Sequence, residues 1–250
     1  MRISSKNAFI ISTTLILGTS IISSLIHFFI DDNSKPFSVH HIQFIYPAYF
    51  ISCAIDHGPG HTLATLFMVP GFAFYMLCAF ARFSAIKHNF PSHQIKLSNT
   101  LSLALNIFTA LGGIGVVAVP ASKHLMIHLL FASLAFVPGT AFVLVDHLRL
   151  TPILRKEKSK TNFDKYAAFL VVACFLGMAL SHIYLFDLIY AKILGLPPLN
   201  LSNITKNAIL LVTAVCENLW LWSMIAYFGT IINSQPFEVS LQEGSHKKVE

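Results

Sequence analysis

Charged side chains are what this sequence has least of. Only 11% of its 250 residues are Asp, Glu, Lys or Arg, against about 25% in an average soluble domain. So few ions cannot cover a surface that faces water, which excludes a soluble globular enzyme, a disordered chain and a coiled coil. Cysteine is scarce as well. Of the four, Cys78, Cys174 and Cys216 fall inside apolar runs and only Cys53 lies in a loop, so no disulfide framework is expected. There is no His-Glu-x-x-His zinc motif and no serine nucleophile elbow. Gly58-Pro59-Gly60 is a turn signal without the spacing of a phosphate-binding loop.

What is abundant is apolar: 55% of the residues are hydrophobic, and the mean hydropathy is +0.67. At roughly 20 apolar residues per membrane helix, the chain has room for six spans and no separate extramembrane domain. Six runs stand out, at about 8–30, 61–83, 98–119, 125–147, 166–188 and 207–233. They predict an all-α, polytopic membrane bundle of six transmembrane helices over residues 1–240, with 241–250 as a cytosolic tail. The first run exceeds the usual signal-peptide core and is followed by Asp31-Asp32 rather than a small-residue cleavage site, so it is read as a retained span.

The net charge of +6 does not point to nucleic acid, because the basic residues lie in short clusters between apolar runs. With the N-terminus taken as cytosolic, 13 Lys and Arg fall on the cytosolic side, Arg82 among them. Four (Lys35, Lys123, Lys192 and Lys206) fall on the other. That asymmetry places both termini in the cytosol. The two N-x-[ST] sequons, at Asn200 and Asn203, then lie in a luminal loop, where they are candidate glycosylation sites. The first luminal segment, 31–60, carries Tyr46, Pro47, Tyr49 and Phe50 ahead of Ser52, Asp56 and His57, which suits an interfacial turn or re-entrant loop.

Val69-Pro70-Gly71-Phe72-Ala73-Phe74 in the second run echoes Val137-Pro138-Gly139-Thr140-Ala141-Phe142 in the fourth. The plainer reading is two proline kinks at similar depth.

Ionisable groups at membrane depth cost about 2.5–3.5 kcal/mol each on insertion scales. Glu217 is the sharpest case: it sits inside the sixth run and reads as the most deeply buried acid of the chain. His182, His128 and Asn106 lie in the fifth, fourth and third runs, and the four residues could converge on one polar cavity toward the luminal side. Taken singly, each is more often a packing hydrogen bond than a ligand. Asp146-His147, beside Arg149, reads as a structural pair that snorkels at the cytosolic interface. His128, His182 and Glu217, with Asp56 or His57, could supply zinc ligands, but no tight spacing supports a metal. No cofactor is expected.

With spans and polar residues placed, the chain resembles the Frag/DRAM/Sfk family of six-span membrane proteins, most closely its post-GPI-attachment lipid-remodelling branch. The segments that carry the resemblance are Tyr46-Pro47-Ala48-Tyr49-Phe50-Ile51-Ser52-Cys53-Ala54-Ile55, Leu105-Asn106-Ile107, Ile127-His128, Ser181-His182-Ile183-Tyr184, and Glu217 followed by Trp220. The Asp-Thr-Gly of the autophagy modulators is replaced here by Asp56-His57-Gly58. The resemblance implies a role in lipid handling: exchange of the fatty chains of GPI anchors in the ER and Golgi, with a membrane or GPI-anchor lipid as partner. The alternative it carries is a non-enzymatic modulator of autophagy or trafficking in the lysosomal membrane. Lys247 and Lys248, fourth and third from the last residue, look like a dilysine retrieval signal read by coat proteins, which favours ER–Golgi cycling.

Overall fold

The computed structural model describes residues 5–29, 37–39, 42–44, 51–56, 58–90, 92–154, 162–185 and 191–234. His57, Lys247, Lys248 and the tail 241–250 lie outside the described residues. Six helices are long and apolar enough to cross a membrane: Lys6–His27, Gly58–Asn89, His93–Ala118, Ala121–Leu150, Asn162–Leu185 and Asn203–Ile232. They begin up to five residues before the apolar runs that mark them, as at His93 against residue 98. The reason is capping. Ser92 Oγ accepts the Ile95 N–H at 3.4 Å and Ser202 Oγ accepts the Thr205 N–H at 3.1 Å, so each helix is opened by a polar residue that hydropathy ignores.

In chain order the helices are α1 (Ser5–Phe29), a short α2 (Ile51–Ala54), α3 (Gly58–Leu63), α4 (Val69–Asn89), α5 (His93–Ala118), α6 (Ala121–Val145), α7 (Thr151–Leu154), α8 (Asn162–Ala179), α9 (Ser181–Leu185), α10 (Ala191–Leu194) and α11 (Asn203–Ser234). Between α1 and α2, strands β1 (Phe37–Val39) and β2 (Ile42–Phe44) pair antiparallel, with Phe37 opposite Phe44. The long helices pack as a closed ring: α1 on α4, α4 on α5, α5 on α6, α6 on α8, α8 on α11, and α11 back on α1. Each is thus packed on its neighbour in sequence, as short connections dictate. The ring encloses an aromatic-rich core. Phe142 meets Tyr227 and Phe228 edge-on, and Phe136 meets Trp220 at 88° with centroids 4.8 Å apart.

Small residues set the closest approaches. A Cβ at Gly112 of α5 would fall inside the backbone of Leu134 and Ala135 of α6, and one at Gly139 of α6 would lie 2.7 Å from the Trp220 ring. This is how membrane helices gain contact where there is no water to expel.

The prolines behave differently from the echo expected of them. Two π-helical segments interrupt the bundle, Ala64–Met68 and Asp146–Leu150. Each runs up to an X-Pro pair, Val69-Pro70 and Thr151-Pro152. A proline ring clashes with the carbonyl four residues back, and a π turn widens the helix at that point. Pro138 instead sits inside α6 with no π segment beside it. The structural counterpart of Pro70 is therefore Pro152, not Pro138.

Residues 51–56 fold inward rather than lying at the rim. Ile51, Ala54 and Ile55 of this segment are buried, and the two isoleucines pack with Ile16, Met68 and Ile225. Cys53, expected in a loop, belongs to α2. Two further expectations are corrected. Arg82 is no loop cation and Asp146 does not snorkel: they are 3% and 0% exposed, respectively, and form an ion pair inside the bundle.

Candidate functional site

Four of the polar residues singled out by their place in apolar runs or the first loop are brought together. Glu217 lies near the middle of α11, His128 two turns into α6, His182 near the start of α9, and Ser52 on α2. All four line one cavity of about 270 Å³, together with Ser181, Thr213 and apolar side chains. Glu217 also lines a second, smaller cavity of about 70 Å³, whose other walls are almost entirely apolar, including Ile16, Met68, Phe72 and Trp220. Glu217, Phe136 and Val116 border both spaces. Glu217 therefore stands where a chamber with several polar groups on a mainly apolar wall adjoins one that is almost wholly apolar.

The inward fold of α2 is what furnishes the carboxylate. The Ser52 hydroxyl and the backbone N–H groups of Ile51 and Ser52 turn toward it. Its Oε2 atom is buried with no hydrogen-bond partner. A buried carboxylate oxygen without a donor is costly, so this atom is the group in the chamber that most needs a ligand. His128 is fixed by its Nδ1, 2.7 Å from the Val119 carbonyl oxygen. A carbonyl only accepts, so Nδ1 carries the proton and the neutral ring keeps an acceptor at Nε2. The break in span five that places His182 is a helix interruption at Leu180, where the Ser181 hydroxyl donates to the Met178 carbonyl at 2.6 Å.

The remaining expected residues fall elsewhere. Asn106 does not line the chamber. Its Oδ1 accepts from the Tyr75 hydroxyl, which ties α5 to α4, and its Nδ2 donates to the Ser102 carbonyl one turn back in its own helix at 2.7 Å, so both ends of the amide are satisfied. Asp56 caps α6: the Ser122 N–H donates to both carboxylate oxygens, at 3.3 and 3.2 Å. The helix needs this, because Pro120 at its N-cap has no side-chain donor or acceptor. Asn200 is exposed with φ of 53°, a left-handed conformation that asparagine tolerates. Asn203 is exposed at the first turn of α11. Among the described residues, no three His, Cys, Asp or Glu group as a metal site.

A second polar cluster escaped the reading of the sequence. Asp146 accepts from Arg82, from the Tyr227 hydroxyl at 3.0 Å and from Thr151 Oγ1 at 3.1 Å, while Arg82 also donates to Ser102 Oγ at 3.3 Å. It ties α4, α5, α11 and the π segment after α6 at the end of the bundle opposite the chamber. Asp146, not Glu217, is the most buried acid of the described residues, at 0% against 9% exposed. The signal that could have found it is complementarity: one cation and one anion near the same ends of two spans running in the same direction.

A family model described as the Frag1/DRAM/Sfk1/Cwh43P N-terminal domain matches residues 7–233. The chain belongs to this family. The match runs from the second residue of the first span through the whole of the sixth, so it covers the ring and the chamber together. No curated protein matches the chain. No solved structure matches it.

Proposed function

We propose that this family member supports lipid remodelling of GPI anchors in the ER–Golgi pathway, with the Glu217 chamber receiving the lipid. The observation that carries the proposal is the position of Glu217 at the boundary between the two cavities, with Ser52 on one oxygen and nothing on the other. A lipid is the one class of ligand that is polar at one end, apolar at the other and delivered from within the membrane. The dilysine at Lys247 and Lys248 and the sequons at Asn200 and Asn203 support the same pathway.

The deciding experiment is mass spectrometry of GPI-anchor lipids from cells lacking the protein, complemented with the wild type or with Glu217→Ala or His128→Ala. The wild type is expected to restore the normal fatty-chain composition and the two variants to fail at equal expression. Unchanged anchor lipids in cells lacking the protein sink the proposal. Localisation is a cheap companion. ER and Golgi staining that shifts outward on Lys247→Ala with Lys248→Ala agrees with remodelling. A lysosomal wild type, unmoved by that change, turns the choice to an autophagy or trafficking modulator.

A further inference from the structure

Which head group the chamber accepts is written in its charges. Glu217 contributes a carboxyl group, and among the described residues no lysine or arginine lines the chamber. The donors already on the carboxylate, the Ser52 hydroxyl and two backbone N–H groups, are all neutral. Oε2 is left without any donor, on a residue more than nine-tenths buried. The neighbouring His128, protonated at Nδ1 by its bond to Val119, offers a second acceptor in Nε2. The chamber thus presents acceptors and a buried carboxyl group that stays ionised only where a cation balances it, and among the described residues none does. An anionic phosphate seated at Oε2 itself brings no donor and no positive charge to that atom. A quaternary ammonium brings the right charge but has no N–H for Oε2. A hydroxyl donates but leaves the buried charge uncompensated.

We infer that the chamber binds a primary ammonium group, which donates to Glu217 Oε2 and neutralises the carboxylate. The inference rests on the reading of the chamber as a ligand site for lipid, and it specifies the chemistry of the head group. At about 270 Å³ the space holds a group of ethanolamine size together with ordered water. A charge-assisted hydrogen bond at a buried site is worth about a factor of ten or more in affinity.

The test uses the full chain in nanodiscs containing phosphatidylcholine and phosphatidylethanolamine, which differ in the methylation of the amine. The lipid retained on the purified protein is quantified by native mass spectrometry. Phosphatidylethanolamine is expected to be enriched about tenfold or more over phosphatidylcholine. That preference should vanish in Glu217→Gln, whose amide oxygen still accepts from Ser52, and survive in part in Glu217→Asp. Competition with free ethanolamine then separates sources: displacement of the retained lipid identifies a free amine as able to occupy the site, and resistance identifies the aminolipid. Both results uphold the ammonium assignment. Equal retention of the two lipids by the wild type overturns it, as does an unchanged preference in Glu217→Gln. The wild-type comparison decides alone if that variant does not fold. Retention of no lipid of any class defeats instead the reading of the chamber as a lipid site.

Discussion

Asp146 receives three donors, from Arg82, Tyr227 and Thr151, and is closed off from solvent. Breaking one half of a buried ion pair leaves the other half uncompensated, at a cost of about 3–5 kcal/mol, whereas replacing both with apolar groups of similar volume is often close to neutral. Arg82→Met and Asp146→Leu are therefore each expected to lower the thermal midpoint in detergent sharply, and the double variant to recover much of the loss. Simple addition of the two losses would show that the pair is not coupled. A smaller effect is expected at Trp220, whose indole N–H donates to Thr140 Oγ1 at 2.9 Å. Thr140→Val strands that N–H and should cost about 1–3 kcal/mol in the same assay. At this scale the sequence exposed Glu217, His128 and His182 because each interrupts an apolar run as an ionisable group. Arg82 and Asp146 were hidden because Lys87 and Arg149 follow soon after them, so both looked like the start of a charged loop. Only the pairing across two spans reveals that they are inside.

The existence of every long helix could be read from apolar run length; their starts and interruptions could not. Starts depend on polar caps such as Ser92 and Ser202, and the π segments on the clash of Pro70 and Pro152 with the turn before them. The echo of Val-Pro-Gly suggested paired kinks, yet the structural pairing follows the π segments. The shared feature of Gly71 and Gly139 is close packing instead: Ile16 lies 2.7 Å from a Cβ built on the first, and Trp220 lies at the same distance from one built on the second. The tightest helix contact is α5 on α6. Gly112→Val should separate the two helices and leave the protein unstable or aggregated on size-exclusion chromatography, whereas Leu111→Val, on the exposed side of the same helix, should behave as wild type. Asp56→Ala removes the cap from α6 and is expected to cost about 1 kcal/mol. Faster hydrogen exchange at Ser122, with α8 unaffected, is the check on that assignment.

Six helices are long and apolar enough to cross a membrane, and an even number of crossings puts residues 5 and 234 on the same face. We propose, from the excess of lysine and arginine between the spans, that this face is the cytosolic one. Epitopes at both ends should become reachable by antibody when the plasma membrane alone is permeabilised. An N-glycan shift should be lost only when Asn200→Gln and Asn203→Gln are combined or when the single sequon in use is removed. Terminal epitopes protected under those conditions would invert the arrangement. The ring itself has a consequence for synthesis. Tyr227 and Glu217 both belong to α11, one completing the cluster around Asp146 and the other completing the chamber under Ser52. Spans are made in order, so neither polar cluster is complete until the last helix arrives. Until then Asp146 and Arg82 are held by fewer partners, and the ring has a gap between α8 and α1. The final span thus acts as a keystone, and a chain stopped after residue 202 is expected to be recognised as unfinished and degraded.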